Sequence, residues 1–251
     1  MTGRAFVFFS PGRSGYHAVM TWIAHQIGGA WLHNHCYGVG SPEELSWDGS
    51  FGQSMHITSL AEPNDDNSAH RFYSVEQFDL VDYKTAGFQN FRELVARKSV
   101  TLIVLRDPFN YLASCIRKRQ IQTRDPYWLD LKFAYIPTWL QYARECAGES
   151  DYLSDFVFIS FNDWFRNRAY RQRLATILDI SCTDRGLDFV PIFGSGSSFD
   201  RRRYNGKGRQ MDVLGRWRYY AADPNYLRIF SDYPDLVHFS KLLFNFNPLE
   251  L

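Results

Sequence analysis

Cysteine is scarce in this chain. The 251 residues hold four, Cys36, Cys115, Cys146 and Cys182, scattered singly. None forms a C-x-x-C pair, and the closest approach to a zinc pattern is Cys36 beside His33 and His35. A disulfide-stapled scaffold and a zinc module are therefore not expected, and free thiols in a reducing compartment are the simplest reading. Long apolar runs are also missing: none approaches the ~18 residues that a membrane span needs. The N-terminal residues pass almost at once into a strand-like run, without the apolar core and cleavage site of a secretory leader. The expectation is a cytoplasmic protein with no membrane partner. Charge of one sign is lacking too. The net charge is +1, which gives no whole-molecule attraction to nucleic acid. Repeats, low-complexity tails and a linker between two cores are absent from the pattern, so residues 1–251 are expected to form a single domain.

What is present is a core. Hydrophobic residues make up 45% and aromatics 17% of the chain, enough for a globular interior and for flat pocket walls. Strand-like runs fall at 6–9, 71–75, 100–105 and 156–160, with a weaker one at 30–33. Helix-like stretches fall between and after them, at 16–27, 88–97, 108–120, 127–146 and 170–178. This alternation predicts an α/β fold, a parallel β-sheet flanked by helices. Ligands of such sheets sit beyond the carboxyl ends of the strands, and Arg13, Arg106 and Phe161 all follow such ends.

The first of these ends carries the clearest motif. Phe6-Val7-Phe8-Phe9-Ser10 runs into Pro11-Gly12-Arg13-Ser14-Gly15 and then into a segment with Val19, Trp22, Ile23 and Ile27 on one helical face. A glycine-containing turn feeding a helix N-terminus offers unpaired N–H groups to an anion. The cation at its tip is Arg13, and the Walker pattern G-x-x-x-x-G-K-[ST] is absent, which argues against an ordinary ATPase. A second motif follows Leu105: Arg106-Asp107-Pro108, with Ser114 about two helical turns into the next segment. A guanidinium fork and a hydroxyl so spaced can converge on one anion. The alternative is Arg106 paired with Asp107 and Ser114 as helix filler.

Taken together, Pro-x-Arg-Ser-Gly after the first strand and Arg-Asp-Pro-x-x-x-x-x-Ser after a later one resemble the motifs of sulfotransferases dependent on 3′-phosphoadenosine 5′-phosphosulfate. The resemblance runs from about residue 5 to residue 217 and diverges at 36–70. It implies the P-loop NTPase-like sulfotransferase fold. It also implies that the first loop grips the 5′-phosphosulfate through Arg13, Ser14, Gly15, Tyr16 and His17, and that Arg106 and Ser114 grip the 3′-phosphate. Many cytosolic members read Lys-Ser-Gly-Thr-Thr-Trp; here Arg13 replaces the lysine, and Tyr16 and His17 replace the threonines. Phe158-Ile159-Ser160-Phe161-Asn162-Asp163 resembles the family's Tyr-Glu-Asp strand end and gives Phe161 the adenine contact. Ser197-Ser198-Phe199 resembles the Thr-Ser-Phe segment of the same pocket. The basic run Arg201–Arg209, followed by Gly215-Arg216-Trp217, resembles less closely the terminal Arg-Lys-Gly…Gly-Asp-Trp element, with Arg203, Lys207 and Arg209 as candidates for the 3′-phosphate.

The implied function is transfer of a sulfuryl group to a hydroxyl or amine of a small-molecule acceptor, without a metal and without nucleic acid. A base must take the acceptor's proton. Where the cytosolic members carry a strand-end histidine, this chain has Glu76; His35, with His33, His56 and His70, is a rival. Residues 36–70 are expected to shape the acceptor pocket, and residues 194–218 to form a basic lid over the cofactor. Between 201 and 218 there are seven Lys/Arg and one acid, Asp212, where a solvated face would mix signs. Arg117-Lys118-Arg119 reads as a solvated face near a helix end. Two other readings stay open: a P-loop nucleotide kinase or NTPase, and a non-catalytic nucleotide- or RNA-binding module.

Overall fold

Four consecutive side chains of the first strand, Phe6, Val7, Phe8 and Phe9, have no exposed surface. A strand covered on both faces shows a continuous apolar run rather than alternation, and this strand, β1 (Ala5–Ser10), lies inside the sheet. The computed structural model describes residues 4–33, 54–57, 70–84, 99–122, 134–190 and 196–250. With β2 (Ala30–His33), β3 (Ser54–Ile57), β4 (Arg71–Glu76), β5 (Ser99–Leu105) and β6 (Val157–Ser160), β1 builds a six-stranded sheet in the order β3-β2-β4-β1-β5-β6. All pairings are parallel except that of the edge strand β3 with β2. Strand β3 was not expected. Its tetrapeptide, Ser-Met-His-Ile, is too short to stand out from the polar stretch around it.

Period-two geometry sends alternate β1 side chains to opposite faces. Phe6 and Phe8 join Phe72, Leu102, Val104 and Ile159 under α1 (Tyr16–Ile27). Val7 and Phe9 join Val75, Ile103 and Leu105 on the other face. That second face is covered by α3 (Pro108–Gln122), α4 (Ile136–Ala147), α7 (Pro224–Asp232) and α8 (Pro234–Phe244), while α2 (Leu80–Tyr83) adds Leu80 and Tyr83. Beside α1 lie α5 (Phe161–Arg166) and α6 (Arg168–Ile177). The architecture is an α/β sandwich with helices on both faces of a mainly parallel sheet. No helix among the described residues is long and apolar enough to cross a membrane.

The helices at 16–27, 108–120 and 170–178 appear close to where their periodicity puts them. The described part of the 127–146 stretch is helical from Ile136, and the 88–97 stretch lies outside the described residues. The C-terminal pair α7 and α8 was not anticipated, although its signals are in the chain. Asp223 caps α7 by accepting from Asn225 N–H at 2.9 Å, prolines open both helices, and Asn245 closes α8 in the left-handed region. The pair is part of the core. Phe230 stacks on Phe109 at 4.1 Å between ring centroids, and the Tyr226 hydroxyl donates to the Phe109 carbonyl at 2.7 Å. Removing the Phe230 ring should cost about 3–5 kcal/mol of stability. Urea unfolding of Phe230→Ala measures this; a loss under ~1 kcal/mol would mean that the C-terminal helices do not hold the sheet face.

A candidate anion-binding site at the strand ends

From β1 the chain runs out to β2 and returns to β4 on one side of β1; β5 and β6 then extend the sheet on the other side. Reversal of this kind leaves a crevice above the carboxyl ends. The loops after β1, β4, β5 and β6 all open there, around a cavity of about 530 Å³. One wall is apolar, with Phe161, Trp164, Phe165, Leu187, Phe189 and Val213. The rest carries charge: Arg13, Arg106, Lys118 and Arg216 against Glu76.

The loop after β1 is tightly curled. Arg13 and Gly15 have φ of 75° and 88°, and Ser14 N–H donates to the Pro11 carbonyl at 3.3 Å. Arg13 is not a glycine, so its left-handed backbone costs about 1–2 kcal/mol, which the surrounding contacts must offset. Gly15 is required twice over: by its φ, and because a Cβ there would run into the Phe161 ring. Phe161, buried at the start of α5, thus floors the loop.

Arg106, at the end of β5, is 1% exposed. It does not pair with Asp107. The Asp107 carboxylate instead accepts from the side-chain amides of Asn110, at 3.0 and 3.1 Å, and of Asn162, at 2.9 Å. Arg106 Nη1 donates to the Ser114 Oγ at 3.2 Å, its guanidinium stands 5.5 Å over the Phe161 ring, and its Nε and Nη2 have no protein partner. Arg216 Nη1 donates to the same Ser114 oxygen at 3.0 Å, and its Nη2 to Ser197 Oγ at 2.6 Å. Its Nε is buried without a partner. Among the described residues, Asp200 is the carboxylate paired with Arg216, at 3.6 Å. Burial pushes the Arg106 guanidinium down to about 10, with Asp107 opposing and Arg13 assisting. Burial, and then the charge of Arg106, push Arg216 well below its ordinary value. Two buried cations with unused donors meet on one hydroxyl, an arrangement suited to an anion.

The loop and this pair are joined. Arg13 Nη2 donates to Ser198 Oγ at 2.5 Å, and Ser198 Oγ donates to the Ser114 carbonyl at 3.2 Å. Opposite, Glu76 ends β4 in register with Ser10 of β1. Its Oε2 accepts from the Tyr16 hydroxyl at 3.0 Å, and its Oε1 lies 2.8 Å from where a Cβ on Gly12 would stand. Gln77, also left-handed at φ 56°, accepts from Gly12 N–H at 3.0 Å and ties the strand end to the loop.

Of the residues singled out from sequence, Arg13, Gly15, Tyr16, His17, Glu76, Arg106, Phe161 and Ser197 line the cavity. Ser14 is fully buried with its hydroxyl unpartnered, and Ser114 and Ser198 link the arginines. His35 lies outside the described residues, as does most of 36–70; His33 and His56 fall in β2 and β3, and His70 is joined to the Arg4 backbone. Phe199 does not line the cavity. It is packed between the guanidiniums of Arg117 and Arg216, at 5.9 and 5.1 Å. Arg203, Lys207 and Arg209 are exposed and are not among the residues that line the cavity. Arg209 Nη2 and Nε instead grip Asp188 at 2.6 and 2.9 Å. The missed residue is Arg216, whose place in the chain is marked by Gly215-Arg216-Trp217. A correction concerns Lys118, which faces the cavity rather than solvent alone; burial and then Arg13 lower its pKa.

The chain matches no protein-family model, and no curated protein matches it.

An anion held by Arg106 and Arg216 should stabilise the fold by mass action, by ~2.7 kcal/mol at about a hundred times its Kd. Thermal unfolding in inorganic phosphate, at constant ionic strength, should show a rise in Tm for the wild type and most of that rise lost in Arg216→Gln. Equal phosphate responses in the two proteins would exclude the site.

Proposed function

We propose that this protein is a sulfotransferase that takes its sulfuryl group from 3′-phosphoadenosine 5′-phosphosulfate and passes it to a hydroxyl or amine of a small-molecule acceptor. The observation that carries this reading is the pairing of two anion sites, the Arg13 loop and the Arg106–Arg216–Ser114 cluster, with the Phe161 ring floor beside both. A nucleotide with anionic groups at both its 5′ and 3′ positions calls for such a pair. The fold reading that goes with it is the P-loop NTPase-like sulfotransferase fold, supported by the loop between β1 and α1 and by the parallel sheet.

The residues fit the donor by an independent criterion. Buried guanidinium nitrogens of Arg13, Arg106 and Arg216 lack partners within the protein, and phosphate oxygens supply what they lack. Arg106, Arg216 and Ser114 would hold the 3′-phosphate, the loop at Arg13 the 5′-phosphosulfate, and Phe161 the base. When bound, the donor supplies an electron-poor sulfur with a phosphate leaving group. Arg13 then neutralises the charge that collects on the departing phosphate oxygen, and Glu76 accepts the acceptor's proton. The nucleotide kinase reading is less well supported. Lysine is missing from the loop, and the carboxylate next to β5, Asp107, is occupied by Asn110 and Asn162. The unpaired thiols Cys115, Cys146 and Cys182 suit a reducing, cytoplasmic setting.

Calorimetry decides between the donors. Adenosine 3′,5′-bisphosphate should bind without magnesium and more tightly than ATP; ATP-selective, magnesium-dependent binding would sink the proposal. RNA binding that falls steeply with salt would instead support a nucleic-acid module. For catalysis, Arg13→Ala should lose about 10²–10³-fold in kcat, a larger factor than its loss of affinity for adenosine 3′,5′-bisphosphate. Near-normal turnover in that variant would remove Arg13 from the chemistry.

A further inference from the structure

We propose that Tyr16 is a positioning residue for Glu76: its hydroxyl anchors carboxylate oxygen Oε2 and so turns Oε1 toward the anion-binding loop at Gly12. The inference rests on the reading of Glu76 as the base that takes the acceptor's proton. It concerns a tyrosine at a place where the resemblance leads one to expect threonine.

The geometry is a single short link. Glu76 ends β4, and Tyr16 stands in the first turn of α1. The Tyr16 hydroxyl reaches the strand end and donates to Glu76 Oε2 at 3.0 Å. A threonine at position 16 is too short to span from the helix to the strand end. The anchor is held by packing: Tyr16 is 2% exposed, part of the core that α1 contributes, and its ring lies 4.0 Å from that of His17, tilted by 41°. Burial, and then the Glu76 charge, raise its pKa well above the ordinary value, so it remains a donor throughout the working range.

A carboxylate at this place needs an anchor. It stands against a loop built for anions, and Lys118 of α3 and Arg13 are the cations around the cavity mouth that also act on the Tyr16–Glu76 neighbourhood. Tyr111 and Cys115 of α3, both fully buried, carry the Glu76 field on the remaining side. One hydrogen bond to the charged group, from a rigid donor, selects a single rotamer. In the reaction the acceptor's O–H or N–H bond breaks with its proton going to the Glu76 carboxylate. The electron pair left on the acceptor atom forms the bond to sulfur, and the sulfur–oxygen bond to the phosphate breaks with its pair on the phosphate oxygen.

The test is a cycle of Tyr16→Phe, Glu76→Gln and the double variant. It follows release of adenosine 3′,5′-bisphosphate from 3′-phosphoadenosine 5′-phosphosulfate, with transfer to water or to an acceptor found by screening. Tyr16→Phe should lower kcat about tenfold and leave the donor KM unchanged, and it should add nothing to the loss in Glu76→Gln. Infrared difference spectra supply a readout independent of turnover. Carboxylate bands assigned to Glu76 by their absence from Glu76→Gln should shift in Tyr16→Phe. Normal kcat in Tyr16→Phe, a loss that adds in full to that of Glu76→Gln, or unmoved carboxylate bands would each overturn the inference. A wild-type protein that neither binds adenosine 3′,5′-bisphosphate nor consumes the donor overturns the sulfotransferase reading instead, and this role with it, even if the infrared bands shift.

Discussion

Two guanidinium groups, from Arg106 and Arg216, share one hydroxyl oxygen inside the protein, and among the described residues the carboxylate paired with them is the partly exposed Asp200, 3.6 Å from Arg216. Each carries a desolvation penalty, and each makes the other's worse. A structure built only for stability would have replaced one of them with an apolar side chain of similar volume. Keeping both makes sense when the missing partner is a ligand. The surroundings are arranged accordingly. The carboxylate that directly follows Arg106 in sequence, Asp107, is held away from it by Asn110 and Asn162, and it also accepts from the Asn110 backbone N–H at 2.9 Å. Trp139 secures the Arg106 carbonyl at 2.9 Å. Arg106 is thus pinned without a salt bridge among the described residues, and Arg216 is paired with the partly exposed Asp200.

The rest of the site follows from where the sheet reverses direction. Because β4 and β5 flank β1, the ends of all three strands meet: Glu76, the Arg13 loop and Arg106. Ser10 Oγ donates to the Val104 carbonyl at 2.9 Å, binding the end of β1 to the end of β5 before the loop begins. Phe161 then serves two neighbours at once, under Gly15 on one side and near the Arg106 guanidinium on the other. One aromatic ring therefore sets the relation between the two anion sites. Ser198 sets it a second time, through Arg13 and the Ser114 carbonyl.

The parts legible in the sequence were those written in local pattern. The buried strands β1 and β5 are unbroken apolar runs. The loop carries its glycines and arginine in a fixed order, and Arg106 and Ser114 are linked by helical spacing. What stayed illegible depended on long-range choice among similar residues. Seven cations lie between 201 and 218, and composition alone cannot say which turns inward. Acids elsewhere settle three of them: Asp184 and Asp188 hold Arg209 outside, Asp212 lies 3.8 Å from Arg218, and Arg216 enters beside Asp200. Lys118 misled for a related reason. Its neighbours Arg117 and Arg119 read as a solvated run, but one turn beyond Ser114 the same helix still borders the cavity.

Under the proposed sulfotransferase reading, Tyr16 and His17 stand where the resembled motif has threonines, which looks from sequence like a loss of two hydroxyl contacts. In the folded chain the tyrosine hydroxyl is directed to the end of β4, where it meets Glu76 at the place for which that motif has a histidine. The two departures are therefore coupled. A histidine has a rigid ring that aims its own nitrogen, whereas a glutamate has a flexible stem and needs an external donor to aim its oxygens. A carboxylate at position 76 and a long hydroxyl at position 16 make one arrangement, and either alone would leave a flexible charge, or a buried phenol without its acceptor, beside the anion-binding loop.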